Sequence, residues 1–103
     1  MIYNIFFTDI SKRELRQVYL YIKINLESPF TAKELIKRII KAIQDLNFMP
    51  NRFPIYKKLY DEITLRRMPV ENFSVFYSVD ESNQRVTIHK VIYNKCDIDN
   101  IIQ

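Results

Sequence analysis

The 103-residue sequence has no glycine, no tryptophan, one cysteine and one histidine. Without glycine there is no phosphate-cradling loop of the P-loop or dinucleotide-binding kind. Tight turns must then rest on Asn, Asp, Pro or Ser. The lone cysteine, Cys96, has no internal disulfide partner, which fits a reducing cytoplasm. With only His89 and scattered acids, no zinc-site spacing forms, so neither metal nor cofactor is expected. No run approaches the ~18–20 apolar residues of a membrane span. The opening MIYNIFFTD lacks a basic flank and a small-residue cleavage site, so it does not read as a secretory signal.

What is present suits one domain. Hydrophobic residues make up 48% and charged residues 27%, enough to bury a core. Lys and Arg number 16 against 12 Asp and Glu, a net charge of +4. A small basic protein leans towards polyanions or acidic protein partners.

Residues 2–7, IYNIFF, read as a strand. Thr8 then caps a helix with Asp9 in its first turn. Ser11, Leu15, Val18, Ile22 and Leu26 share one face of it at a 3.6-residue period. ESPFTAKE ends that helix and starts another, with Ser28 as cap and Pro29 at the first helical position. A capping box from Thr31 to Glu34 is the alternative start. Ala32, Leu35, Ile36, Ile39, Ile43 and Leu46 form the second stripe, and the short connection predicts an antiparallel hairpin. Both stripes read as core and not as cofactor sites.

Residues 47–61 carry two prolines and no clear period, a long connection of the functional or mobile kind. Three strands follow at about 62–69, 72–80 and 85–93, the last two joined by DESNQR. The tail NKCDIDNIIQ suggests a short helix beginning near Asp97. The order β-α-α-β-β-β predicts an α+β fold. One helix hairpin covers one face of a mostly antiparallel four-stranded sheet. Val86, Ile88 and Ile92 should face the helices. Thr87, His89, Val91 and Tyr93 should face away, with Lys90 reaching round the sheet edge.

That open face holds the candidate chemistry. Strand alternation separates Arg66 from Arg67, so only one of them reaches it. An arginine fork stabilises phosphate charge. Histidine shuttles protons near neutrality, and Tyr and His rings stack on RNA bases. Whichever of Arg66 and Arg67 reaches that face, with His89, Tyr93 and Lys95, could therefore supply the base, cation and acid of RNA self-cleavage. The plainer reading makes His89 a surface strand residue and Tyr93 an amphipathic edge residue. Cys96 reads as an inert thiol unless a base lies beside it.

In the order and spacing of IYNIFFTD, SPFTAKELIKRIIKAI, LNFMPNRFP, LRRMPVENFSVFYSVDE and VTIHKVIYNKCDIDNII, nearly the whole chain resembles the RelE/ParE superfamily of toxins, the plasmid stabilisation proteins of type II toxin–antitoxin systems. The resemblance implies the fold reached above and a cognate antitoxin that wraps the toxin. It implies one of two targets. RelE-like members cut mRNA on the ribosome, and ParE-like members poison DNA gyrase. The cationic nuclease positions of RelE-like members fall here at Glu62, Thr64, Ser74 and Cys96, which argues against that chemistry. Arg66 matches the strand arginine that the family retains, and the closing histidine of some members falls at Tyr93.

The expectation is thus a growth-inhibiting cytoplasmic toxin nearer the ParE branch. Arg66 or Arg67, Tyr93 and Lys95 are its target contacts, with the 47–61 loop as a secondary surface. A homodimer or a toxin–antitoxin hetero-oligomer is the expected assembly. The alternatives are a ribosome-dependent nuclease using Arg66, His89 and Tyr93, and a degenerate toxin that serves only as the antitoxin's partner.

Overall fold

The computed structural model describes residues 2–25, 28–58 and 63–94. The expectations for Leu26, Glu62, Lys95, Cys96 and a closing helix near Asp97 lie outside these residues. Strand β1 (Asn4–Phe7) leads into helix α1 (Asp9–Asn25), and helix α2 (Pro29–Gln44) follows. After two single 3-10 turns come β2 (Ile55–Lys58), β3 (Thr64–Val70), β4 (Phe73–Asp80) and β5 (Arg85–Tyr93).

Both helix starts follow from their caps. The Ser11 amide donates to Thr8 Oγ1 at 3.1 Å, and the buried Ser11 hydroxyl returns a bond to the Thr8 carbonyl at 2.8 Å. At α2 the Thr31 amide donates to Ser28 Oγ at 3.2 Å, with Pro29 at the first helical position. The alternative box from Thr31 is not used, and Glu34 pairs instead with Lys37 at 3.4 Å. Val18, Ile22, Ala32, Ile39, Ile43 and Leu46 point into the core, as the periodic stripes predict. Burying each large aliphatic side chain contributes ~1.5–3 kcal/mol.

The sheet has five strands in the order β1-β5-β4-β3-β2, one more than expected. The addition is β2, a four-residue edge strand inside the segment read as a loop. It pairs antiparallel with β3 through a register shift between Ile55 and Lys57. So short and irregular a strand, just after Pro54, leaves little alternation to read. The sheet is mixed, because β1 runs parallel to β5 from Asn4↔Arg85 to Phe7↔Ile88.

A bulge in β5 changes which residues face the helices. Phe76 pairs with Lys90 and Tyr77 with Ile88, leaving His89 as the extra residue. Val86 and Ile88 face the helices as expected, but Val91 and Tyr93 join them there. Ile92 crosses to the open side and packs with Leu65, Phe76 and Tyr56. The expected places of Val91, Ile92 and Tyr93 are therefore reversed. The bulge is held from 80 residues away in sequence. Thr8 donates through Oγ1 to the carbonyls of Ile88 (3.1 Å) and His89 (3.4 Å), and its amide also donates to Ile88 (3.2 Å), just where β1 ends. Lys90 does reach round the edge, to Glu14 of α1 at 3.4 Å, and the Val91 amide bonds the same carboxylate at 3.1 Å.

The missing glycines are replaced in an unexpected way. Among the described residues, left-handed backbone occurs at Met49 (φ 49°), Glu71 (φ 53°) and Gln84 (φ 50°), and not at Asn, Asp or Ser. Glu71 is held in its turn by Arg38 at 3.1 Å.

Candidate functional site

Alternation gives the two arginines different work. Arg66 pairs with Tyr77 and Arg67 with Phe76, so Arg66 lies on the helix side and Arg67 on the open side. Arg66 Nη1 donates to the carbonyls of Asn51 (3.2 Å) and Phe53 (2.7 Å). Beside it the buried Tyr77 hydroxyl donates to the Pro50 carbonyl at 2.6 Å. Burial pushes the Tyr77 phenol up to about 12, against the lowering pull of Arg66 and Arg52. It stays protonated and remains a donor. Both residues hold the 50–53 segment against the sheet.

On the open side Arg67 Nε donates to Ser74 Oγ at 2.8 Å, and Ser74 donates to Asn94 Oδ1 at 2.5 Å. Ser74 is buried and fully engaged. No carboxylate among the described residues pairs with Arg67.

His89 stands at the bulge, in an open-face cleft of about 440 Å³ lined by Thr64, Ser78, Asp80, Arg85 and Thr87 among others. Its Nε2 lies 2.7 Å from Ser78 Oγ. Burial lowers its pKa below the ordinary 6.5, so the ring is neutral at pH 7. Asp80 is held below the usual carboxylate range by the side-chain amide of Asn83 and then by its backbone amide. The cleft therefore offers hydroxyls, carboxylates and a neutral imidazole. Arg85 is the one Lys or Arg that lines it among the described residues.

Tyr93 is on the other face. Its ring centroid lies 5.1 Å from Phe73 and 5.9 Å from Tyr21 of α1. It lines a second cleft of about 370 Å³ with Asn25, Thr31, Arg38, Glu71 and Asn72. Along β4 the register partners of Arg66 and Tyr93 are Tyr77 and Phe73. These partners lie four strand steps apart, about 13 Å. Arg66, His89 and Tyr93 thus do not converge on one point. Thr64 and Ser74, at two of the nuclease positions, present only hydroxyls. Among the described residues no group of His, Cys, Asp and Glu could hold a metal ion. No helix among them is long and apolar enough to cross a membrane.

Sequence reasoning missed the strut work of Arg52, Arg66 and Tyr77, because each reaches a carbonyl, which no residue type advertises. It also missed the bulge. A signal for that existed: in RVTIHKVIY the apolar alternation of Val86 and Ile88 is interrupted by Lys90 and resumes with Val91 and Ile92 side by side.

A family model described as ParE toxin of type II toxin-antitoxin system, parDE, matches residues 5–97. No curated protein sequence matches the chain. Among solved structures, the chromosomal ParDE toxin–antitoxin system from P. aeruginosa aligns with a TM-score of 0.74 at 15% identity, covering 89% of this chain and 96% of that one. The RelBE2 toxin–antitoxin complex from Mycobacterium tuberculosis aligns at 0.66 and 17% identity, covering 90% and 92%. The archaeal RelE–RelB complex from Pyrococcus horikoshii aligns at 0.63 and 16% identity, covering 91% and 97%.

Proposed function

The chain belongs to the ParE toxin family of type II toxin–antitoxin systems, and from that premise we propose that it arrests growth by gripping an essential macromolecule, DNA gyrase, without cutting RNA. The observation that carries this reading is the dispersal of Arg66, His89 and Tyr93. Phosphoryl chemistry needs donors aimed at one developing charge, and each donor lost costs ~2.7–4 kcal/mol of barrier. Here Arg66 is spent on two backbone carbonyls, and Tyr93 lies across the sheet from His89. With Thr64 and Ser74 in place of cations, the open face is poorly equipped as a nuclease.

A cognate antitoxin is the second partner in this proposal. The similar solved structures are toxin–antitoxin complexes. This chain leaves Leu20, Ile24 and Phe30 exposed on its helix hairpin, with Ile24 at 71% and Phe30 at 74%. Lys23 and Lys33 lie alongside in sequence. An acidic amphipathic segment suits that surface. The target contacts expected at Arg66, Arg67, Tyr93 and Lys95 divide within this proposal. Arg67 and Tyr93 remain contact residues, Arg66 is assigned to holding the loop, and Lys95 lies outside the described residues.

The deciding experiment adds purified chain to gyrase and relaxed plasmid. Inhibited supercoiling with trapped gyrase–DNA complexes is expected. Unimpaired supercoiling, together with new cuts at codon boundaries when translated mRNA is probed by primer extension, would transfer the reading to the ribosome. Induction of the chain alone should stop growth, and unaffected growth would leave a degenerate toxin.

A further inference from the structure

The bulge in β5 re-aims a side chain, as bulges beside active sites commonly do. His89 is the extra residue there, and Thr8 pins its backbone by donating to the carbonyls of Ile88 and His89. Ser78 stands on the neighbouring strand β4, with Thr87 as its register partner. His89 Nε2 and Ser78 Oγ lie 2.7 Å apart, the separation of a nucleophile from its general base. With the ring proton on Nδ1, Nε2 accepts from the Ser78 hydroxyl. Burial keeps the ring neutral at pH 7, the state that a base needs. Both side chains are only half-buried, and both line the cleft of about 440 Å³.

The rest of the lining narrows what that pair could attack. Ile63, 39% exposed, gives the cleft an apolar wall. Asp80 and Glu81 outnumber Arg85 among the described residues of the lining, and Asn83 holds Asp80 in its ionised form. A net negative lining disfavours phosphate and nucleic acid but admits an uncharged molecule.

We propose that Ser78 and His89 form a nucleophile–base dyad that cleaves small uncharged carboxylic esters. Ser78 Oγ bonds to the ester carbonyl carbon as its proton passes to His89 Nε2. The bond from that carbon to the alcohol oxygen then breaks, and the departing oxygen takes the proton from Nε2. Water repeats the sequence on the acyl-serine, releasing the acid and restoring the hydroxyl. This activity is independent of any gyrase contact, so failure of either leaves the other standing.

The test gives the purified chain para-nitrophenyl acetate and follows nitrophenolate release, with mass spectrometry mapping any acetyl group. Ser78→Ala and His89→Asn, purified identically, run beside wild type, and thermal melting checks each fold. The expected result is an acetyl group on Ser78 and release roughly 100-fold faster than in either variant, the scale of a positioned general base. The wild-type rate should rise with pH through a value below 6.5 and then level off, because only the neutral ring accepts the proton. An acetyl group found only on lysines, with equal rates in all three proteins, overturns the dyad. Fast release that survives Ser78→Ala assigns the attack to the imidazole and equally overturns it. If a variant melts at lower temperature, the wild-type map decides: no acetyl group on Ser78 sinks the proposal whatever the variants do.

Discussion

The Phe48–Met49 turn and the cleft around His89 use polar groups in opposite ways. In the turn, side chains from Arg52, Arg66 and Tyr77 satisfy backbone carbonyls, and apolar side chains are left facing water. In the cleft, side chains satisfy one another, His89 with Ser78 and Asp80 with Asn83. The turn is strained and braced, while the cleft is relaxed and its imidazole neutral. The difference shows what an arginine can be for. Arg66, at the position that the family resemblance singles out, acts as a strut on the covered side of the sheet. Arg67 ties the buried Ser74 on the open side. Cations that a nuclease would aim at phosphate are here aimed at the protein itself.

The sharpest way to break this contrast is to remove a brace. Tyr77→Ala should cost ~3–5 kcal/mol in urea unfolding, because a fully buried ring is lost along with the Pro50 bond. Tyr77→Phe should cost ~1–3 kcal/mol, the penalty of a buried carbonyl left without its donor. If Tyr77→Phe proves neutral, the turn is not braced from the sheet. Next comes the pair of arginines. Arg66→Met should cost ~1.5–3 kcal/mol, chiefly by losing the charge-assisted bond to the part-buried Phe53 carbonyl. Arg67→Met should cost less, ~0.5–1.5 kcal/mol, since Ser74 keeps Asn94 as acceptor. An equal or inverted order in the same unfolding assay would contradict the division of labour.

Acid and alkali should separate the two regions further. The Tyr77 pKa is raised in the folded state, so its contribution is fully present below 10 and is lost as pH climbs from 10 towards about 12. The His89 pKa is lowered in the folded state, so its contribution is present above 6.5 and is lost as pH falls through the depressed value. Thermal melts of wild type against Tyr77→Phe and His89→Asn, taken across pH, should show the alkaline loss vanish in the first variant and the acid loss shrink in the second. The smallest effect is expected at Met49→Gly. Relief of left-handed strain is offset by glycine's extra freedom when unfolded, for a net gain of up to about 1 kcal/mol. A destabilised Met49→Gly would mean that its side chain does pack.

Much of the frame was legible in the residue order. Thr8 and Ser28 start the helices where capping chemistry predicts, and Val18, Ile22, Ile39 and Ile43 bury themselves at helical spacing. The three strands from β3 to β5 fall within two residues of their expected bounds. The candidate site was less legible. Alternation puts His89 and Tyr93 on one face and leaves open whether Arg66 or Arg67 joins them, whereas the bulge parts the first two; β2 was hidden between Pro54 and an irregular register.

The sequence by itself determined the β-α-α-β-β-β order, the capped helix hairpin, the separation of Arg66 from Arg67, and the need for turns without glycine. These are local matters, settled by caps, by periods of 3.6 and 2, and by residue type. Only the tertiary structure decided that Tyr93 turns towards the helices, that Arg66 braces a loop, and that methionine carries a left-handed turn. Each of those depends on a partner far along the chain. Thr8 grips the carbonyls at the His89 bulge, and Tyr77 and Arg66 grip carbonyls of residues 50–53. A backbone carbonyl has no identity in the sequence, so the struts that end on one become visible only once the chain is folded.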